Sequence, residues 1–249
     1  MHDSLRLKGL IPLQQPYNTL PDFNYQGTET ANPAIFSTTG PTAIVDWVLV
    51  ELRDKNDPSL VIETRAGFVQ RNGDVADIDG STRLVFNSLD GDYFVAVRHR
   101  NHLGCMSKDP MPLDCNTPKI DFTVDSTLTY KLTGQIGSNF ARDEFPSGIR
   151  ALWKGNYSEV NNTGDRVIFQ GPNSDIDEVF FKVLLHPTNV NLFPLFIVED
   201  TYDRADGNMD GRLIYRGLGA DTDEAFLTVG LHFDNQNALP IYVIYEQIP

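Results

Sequence analysis

Cysteine is scarce in this chain of 249 residues, which contains only Cys105 and Cys115. Two cysteines exclude a fold stapled by several disulfides. Their separation of ten residues, in a loop that holds Pro110 and Pro112, favours one local disulfide. In the loop-entropy description such a bridge stabilises the fold by about 3 kcal/mol. Two unrelated thiols are the alternative.

Positive charge is also scarce. Lys and Arg total 20 against 34 Asp and Glu, which gives a net charge of −14 and a pI of about 4.6. Nucleic acid is therefore excluded as a partner, because phosphate contacts need Lys and Arg. The acidic balance is compatible with a calcium-rich environment outside the cell.

Long apolar runs are missing as well. No stretch of eighteen apolar residues occurs, so membrane insertion is not expected. The residues after Met1 show no basic segment followed by an apolar segment, which a signal peptide would require. Met1 can equally be internal to a longer precursor, so this start does not make the protein cytosolic. The length suits one large domain or two modest ones.

The common catalytic and nucleotide-binding motifs are absent from the sequence, including GxSxG, HExxH, the P-loop, GxGxxG and CxxC. Glycoside hydrolysis needs a pair of acids, and nothing singles out such a pair. The segment 99–102, with two His and one Arg, has the residue types of a site but is better explained as a polar strand end. We therefore expect a protein that is not an enzyme.

What the sequence does have is a series of short strands in its first part. Residues 43–53 alternate and carry apolar side chains on both faces, which predicts a central strand. Turn signals separate this strand from the next ones. The pattern predicts an antiparallel β-sandwich over residues 1–145, in which 1–42 form an irregular segment laid over a sheet. The expected strands are 43–53, 60–71, 81–87, 92–100, 120–124 and 128–132.

A loop in the second part has the spacing of a calcium site. Asp206, Asn208 and Asp210 fall on alternate residues and Gly211 follows, as in the first half of an EF-hand loop. Arg212 would add its backbone carbonyl. All donors are oxygens, which favours Ca²⁺. The twelfth position, where an EF-hand has Glu, is Gly217. The nearest acids after it, Asp221 and Asp223, are therefore the predicted closing ligands. An Asx-rich turn without metal is the alternative.

The same unit occurs twice. A shift of 46 residues aligns the segment around Asn162 with that around Asn208 without a gap. The pairs that follow include Arg166/Arg212, Ile168/Ile214, Asp175/Asp221, Asp177/Asp223, Asn189/Asn235 and Pro194/Pro240. Residues 146–249 are thus predicted to hold two copies, 157–202 and 203–249, each a loop followed by a short helix. The recurring acids can close a metal loop, cap the helix, or do both.

The first copy is degraded, because Val160 and Gly164 stand where Asp206 and Asp210 stand. Oxygens could still come from Asn162 and Asp165 with the recurring acids. Asn156 would substitute for the first ligand if residues 157–160 bulge out. We expect a full site in the second copy and a weak site or none in the first. The predicted metal ligands are Asp206, Asn208, Asp210, Arg212, Asp221 and Asp223 in the second copy, and Asn162, Asp165, Asp175 and Asp177 in the first.

Several phrases of the sequence resemble a known group of proteins. The segments GNMDGRLIYRG and RVIFQGPNSD and the ending YVIYEQIP resemble the C-terminal region of secreted or cell-surface adhesin-like (hemagglutinin-type) proteins of Bacteroidota-type bacteria. The segments VDWVLVELRD, VQRNGDVADIDG and VAVRHRNHLG resemble the β-rich domain that precedes a dockerin-like tandem calcium repeat there. The resemblance covers nearly the whole chain.

This resemblance implies a mainly β fold with a small α-containing part, namely a β-sandwich followed by the two-copy repeat. It implies a calcium-binding, non-enzymatic extracellular module that acts in adhesion or as a structural segment. The partner would be a cell-surface protein or a polysaccharide. Because the twelfth-position acid is missing, cohesin binding is not expected. The alternative is a carbohydrate-binding module or accessory domain of a secreted hydrolase, with Trp47, Tyr93, Phe94 and Trp153 as candidate sugar contacts.

Overall fold

The computed structural model describes residues 1–115, 119–132, 141–145, 147–158 and 165–249, and the fold is mainly β with antiparallel sheets. Six strands form the main sheet in the order β3-β2-β1-β4-β5, and β6 pairs with β4. The strands of this sheet are β1 Ile44–Asp54, β2 Val61–Gln70, β3 Val75–Ala76, β4 Gly91–His99, β5 His102–Met106 and β6 Met111–Leu113.

Strand β1 is the centre of the sheet, as its two apolar faces predict. It pairs with β2 on one side and with β4 on the other, and ten of its eleven residues are buried. Trp47 lies opposite Phe68 of β2, with ring centroids 3.9 Å apart. The predicted strands 60–71 and 92–100 are confirmed as β2 and β4, and the turn at 72–74 joins β2 to β3.

An irregular segment covers one face of this sheet. It begins with the short helix α1, Ser4–Leu7, and continues through single 3₁₀ turns. The Tyr17 hydroxyl donates to the Trp47 carbonyl at 2.9 Å, and the Trp47 indole N–H donates to the Pro12 carbonyl at 2.8 Å. Buried Leu5 and Phe23 complete this layer. The segment 1–42 therefore lies over the sheet as predicted.

Three of the predicted strands are wrong. Residues 81–87 run beside the sheet without pairing, because carboxylates accept their backbone N–H groups: Asp79 from Thr82 and Glu63 from Asn87, both at 2.8 Å. Residues 120–124 form no strand, and 128–132 contribute a single bridge to Ser107. In exchange, β5 and β6 follow β4, where the sequence predicted a loop.

The predicted disulfide is wrong, since both cysteines are free thiols. Cys105 lies inside β5 opposite Val97 and is fully buried, whereas Cys115 is exposed after β6. Burial raises the pKa of the Cys105 thiol to about 12. A strand residue facing the core cannot reach a cysteine on the surface without moving the backbone.

The second part of the chain contains two helices and small two-stranded sheets. The sequence predicts these helices over 177–185 and 223–231, and the observed helices begin two residues and one residue earlier. Their bounds are α2 Asp175–Leu184 and α3 Thr222–Leu231. The short strands are β7 Arg142–Glu144, β8 Arg150–Leu152, β9 Arg166–Ile168, β10 Ile197–Val198, β11 Leu213–Ile214 and β12 Val243–Tyr245.

The two copies exchange their last strands. Strand β10 ends the first copy and pairs with β11, which opens the second, so that Ile197 lies opposite Ile214. Strand β12 ends the second copy and pairs with β9 of the first, so that Val243 lies opposite Ile168. These two pairs are related by the same shift of 46 residues. Each copy therefore completes the sheet of the other.

Aromatic packing and helix ends repeat this relation. Phe180 of α2 contacts Tyr215 of the second copy, and Phe169 contacts Phe226 of α3, each with ring centroids 5.0 Å apart. After each helix, an Asn side chain binds a backbone carbonyl near the end of that helix. Asn189 donates to the Val183 carbonyl at 2.9 Å, and Asn235 donates to the Val229 carbonyl at 2.7 Å.

Buried charges join the main sheet to the two copies. Arg98 of β4 donates to Asp165 at 2.7 Å and lies 3.4 Å from Glu51 and 3.8 Å from Glu246. Leu103 of β5 belongs to the apolar core that α2 and α3 share. Among the described residues, no helix is long and apolar enough to cross a membrane.

Candidate functional site

Asp206 opens the loop of the second copy and is completely buried. Its carboxylate accepts the N–H groups of Asp210 at 3.1 Å and Gly211 at 2.8 Å. These bonds turn the chain back over the carboxylate, which Met209 and Gly211 permit by adopting positive φ angles of 55° and 81°. The DxNxDG spacing thus forms a closed turn around its first acid.

The next two predicted ligands lie nearer the surface. Asn208 accepts the Asp210 N–H at 2.9 Å and donates to the Gly219 carbonyl at 3.1 Å. The Asp210 carboxylate binds the Arg212 guanidinium, with one nitrogen at 2.6 Å and another at 3.1 Å. Asp210 must therefore leave Arg212 before it can bind a cation together with Asp206.

Asp221 closes this loop from the end of the following turn, and it is also completely buried. Its two carboxylate oxygens accept the Gly207 N–H at 2.9 Å and the Ile214 N–H at 2.8 Å. It makes no side-chain cap bond to α3, so the helix-capping role considered for it is wrong. The side chain is directed back to the loop because the N–H groups it binds lie there.

Burial changes the acidity of this loop. Desolvation raises the pKa of Asp206 to about 6 and that of Asp221 to about 8, and the Asp206 carboxylate adds to the shift of Asp221. Arg100 opposes the shift of Asp206 but does not cancel it. Two acids held in a region of low polarity without a matching cation are the arrangement that a bound divalent cation would relieve.

The first copy contains the same buried acid. Asp175 accepts the Tyr157 N–H at 2.7 Å with one oxygen and the Ile168 N–H at 2.7 Å with the other. Ile168 corresponds to Ile214 by the shift of 46, but Tyr157 takes the position of Gly207, a shift of 50. The loop of the first copy is four residues longer, and Asn156 takes the position of Asp206. Asp175 makes no cap bond to α2 either, so that capping role is also wrong.

The remaining predicted ligands lie elsewhere. Asp165 is buried against Arg98 and faces the main sheet. Asp177 and Asp223 are exposed in the first turns of their helices, two residues after the buried acids. Asn162 lies outside the described residues. The structure therefore brings Asp206, Asn208, Asp210, Arg212 and Asp221 together in the second copy.

Three residues that support the loop were not predicted to contact it, although Arg100 and Asn101 lie in the 99–102 segment. The Tyr157 hydroxyl donates to the Asp221 carbonyl at 2.9 Å and lies over Gly207, where a Cβ would be 1.8 Å from the Tyr157 oxygen. Asn101, at the turn between β4 and β5, donates to the Asp206 carbonyl at 2.7 Å, and Arg100 donates to the Asp203 carbonyl. The 99–102 segment thus has structural contacts that position the loop.

The donors fit a hard cation in type, though not yet in arrangement. Within the described ranges, no group of three His, Cys, Asp or Glu side chains is placed to hold a metal ion. Three carboxylates, one amide oxygen and a backbone carbonyl are oxygen donors of the kind that Ca²⁺ prefers. The buried pair Asp206 and Asp221 is already formed, and Asp210 is the side chain that must rotate.

The candidate sugar contacts are not available on the surface. Trp47, Phe94 and Trp153 are buried, and Tyr93 is half-buried. Exposed apolar side chains occur instead after both helices, at matching positions. They are Leu185, Phe193 and Leu195 in the first copy and Leu231, Leu239 and Ile241 in the second, with 47 to 76% of each side chain exposed.

A notch of about 210 Å³ lies beside the loop. Arg100, Lys182 and Arg204 face it, and each is bonded to a carboxylate, namely Asp46, Asp203 and Asp22. The charges at this notch are therefore compensated.

Comparison of the chain with protein-family models, with curated proteins and with solved structures gave no match.

Proposed function

We propose that this chain is a calcium-binding, non-enzymatic module of a secreted or cell-surface protein, acting in adhesion or as a structural segment. The observation that carries the proposal is the second-copy loop, in which buried Asp206 and Asp221 lie within a turn of DxNxDG spacing. Calcium binding there would be linked to folding, because the loop's acids are desolvated and close together without it.

In this proposal Asp206, Asn208 and Asp210 bind the cation from the turn, the Arg212 carbonyl adds a fourth oxygen, and Asp221 closes the loop in place of the missing twelfth-position acid. The two copies then form a dockerin-like pair, and the main sheet with its cover forms the sandwich-like domain 1–145. The boundary between 1–145 and 146–249 stays a prediction.

The exposed apolar residues after the helices support an adhesive role. Exposed apolar side chains at matching positions of an acidic protein are candidates for an interaction site. A protein partner is favoured over a polysaccharide, because three of the four candidate rings for sugar binding are buried. An accessory carbohydrate-binding role is the alternative considered from the sequence.

Thermal unfolding in excess calcium and in chelator tests the metal site. Calcium at about 100 times its Kd stabilises a folded protein by about 2.7 kcal/mol, which raises Tm by about 5 to 10 °C in a chain of this size. We expect this rise in the wild type and its loss in Asp206→Asn. The matched control is Asp223→Asn, an exposed acid that should keep the rise.

A wild-type protein that melts at the same temperature in calcium and in chelator would sink the calcium proposal. The loop would then be an Asx-rich turn that only packs. If Asp223→Asn loses the rise as fully as Asp206→Asn, the exposed acid closes the site and the assignment of Asp221 is wrong.

A further inference from the structure

Arg204 of the second copy is buried against the loop of the first copy. Only 3% of the residue is exposed, although it carries a full positive charge. Its Nε donates to the Asn156 carbonyl at 3.1 Å. The Asn156 side-chain amide, in the orientation that satisfies both of its ends, accepts from Arg204 Nη2 at 3.1 Å and donates to the Arg166 carbonyl at 3.3 Å.

These contacts place a cation where the first loop presents its oxygens. Asn156 takes the position of Asp206, as the bonds from Tyr157 and Gly207 to the two buried aspartates show. Arg204 thus binds both oxygens of the residue that corresponds to the first calcium ligand. Its charge also lowers the pKa of Asp175, opposing the larger effect of desolvation.

The guanidinium is fixed in this position from its other side. Nη1 donates to Asp22 at 2.8 Å, and both side chains are at most 4% exposed. Phe23 lies beneath, with its ring centre 5.7 Å from Arg204 Cζ. If Arg204 moved away, both its guanidinium and the buried Asp22 carboxylate would lose their partner, which is costly. Arg204 is therefore held against the first loop in the folded chain.

In the second loop no guanidinium among the described residues takes this place. The Asp206 carbonyl accepts instead from the neutral Asn101 amide. Arg100 lowers the pKa of Asp206 by its charge, but its hydrogen bonds go to Asp46 and to the Asp203 carbonyl. The Asp206 carboxylate accepts only backbone N–H groups among the described contacts. The two loops therefore differ in the source of their cation.

We propose that Arg204 is the built-in cation of the first loop, so that the chain binds one calcium ion and that ion organises both copies. Arg204 precedes Asp206 by two residues. Closing the second loop around calcium therefore fixes the backbone that carries Arg204 into the first loop. This inference rests on the proposed function, since it assigns the number of ions and their effect to the same site.

Calorimetric titration with CaCl₂ and amide hydrogen exchange of the full chain test this inference together. We expect one calcium ion per wild-type chain. We also expect calcium to slow exchange at least tenfold at two amides, Ile214, which Asp221 binds, and Ile168, which Asp175 binds. In Arg204→Met, calcium should still bind once and slow Ile214, while Ile168 no longer responds.

The matched control is Arg216→Met, which removes an exposed guanidinium from the same copy and should behave as the wild type. Because Arg204→Met leaves Asp22 without its partner, Asp22→Asn/Arg204→Met provides a second variant in which both charges are removed. Two calcium ions per wild-type chain, or an Ile168 response that survives in both variants, would overturn this inference alone. No calcium binding at all would overturn the proposed function as well.

Discussion

The two loops place a buried aspartate at the same point and surround it differently. Asp175 binds the amides of Tyr157 and Ile168, and Asp221 binds those of Gly207 and Ile214. The first loop is four residues longer and has a neutral Asn156 beside the Arg204 guanidinium. The second loop has the carboxylate Asp206 at that position. A duplicated frame can therefore retain its buried aspartate while the charged groups beside it change.

The largest loss of stability is expected at Gly207, where the second loop has no room for a side chain. Gly207→Ala places a methyl group against the Tyr157 hydroxyl. Tyr157 is itself the residue of the first loop that corresponds to Gly207. We expect a loss of about 3 to 4 kcal/mol in the free energy of unfolding, at the upper end for overpacked sites. Urea unfolding in chelator measures it.

Gly230→Ala is the control for that substitution. Gly230 lies in the last turn of α3, where a Cβ would meet only the edge of Phe226 at 3.9 Å. Alanine is favoured over glycine within helices, so this variant should be unchanged or more stable by up to about 1 kcal/mol. Equal losses in both glycine variants would contradict the close contact between Tyr157 and Gly207.

The pH dependence separates the two loops in a second way. Burial raises the pKa of Asp175 to about 7, of Asp206 to about 6 and of Asp221 to about 8. An acid whose pKa is higher in the folded state stabilises the fold below its unfolded pKa, and this stability is lost as pH rises through the folded pKa. In chelator we therefore expect the free energy of unfolding to decline from pH 4 to pH 8.

Calcium should reduce this decline, because binding favours the ionised forms of Asp206 and Asp221. The share that belongs to Asp175 should remain in saturating calcium, since the proposed ion binds in the other loop. Urea midpoints at several pH values, with and without calcium, check both statements. A chelated protein whose stability rises from pH 4 to pH 8 would show that these acids are less desolvated than their burial indicates.

The smallest expected loss of stability tests whether the two copies are equivalent at their helix ends. Asn189→Ala and Asn235→Ala each remove a buried side chain that donates to the end of a helix and accepts the N–H of Phe193 or Leu239. Each substitution should cost about 2 kcal/mol, since buried backbone groups lose their partners. Because the contacts match, the two losses should agree within about 0.5 kcal/mol. A clear difference in thermal unfolding would show that the copies are not equivalent there.

Much of this architecture could be predicted from the sequence. Alternation in 43–53 predicted the central strand, and the repeat predicted both helices with their buried acids. The predicted strands 81–87, 120–124 and 128–132 were wrong. Carboxylates and an isolated bridge bind parts of those backbones, and most of these contacts are made with distant residues. The position of Cys105 inside a strand was missed for the same reason.

The loop was predictable in its residue pattern but not in its surroundings. The spacing of Asp206, Asn208 and Asp210 is local, so the sequence displays it directly. Whether Asp221 or Asp223 points back to the loop depends on the fold, and in the structure the side chain that binds loop N–H groups is that of Asp221. Arg204 reaches across from one copy to the other, and no spacing in the sequence indicates that contact.

The exchange of final strands has a consequence for how such a chain arises. Because β10 pairs with β11 and β12 pairs with β9, a single copy has no partner of its own for its last strand. Such a unit can complete its sheet only by associating with another, so joining two such units end to end gives the arrangement seen here, that of a symmetric homodimer within one chain.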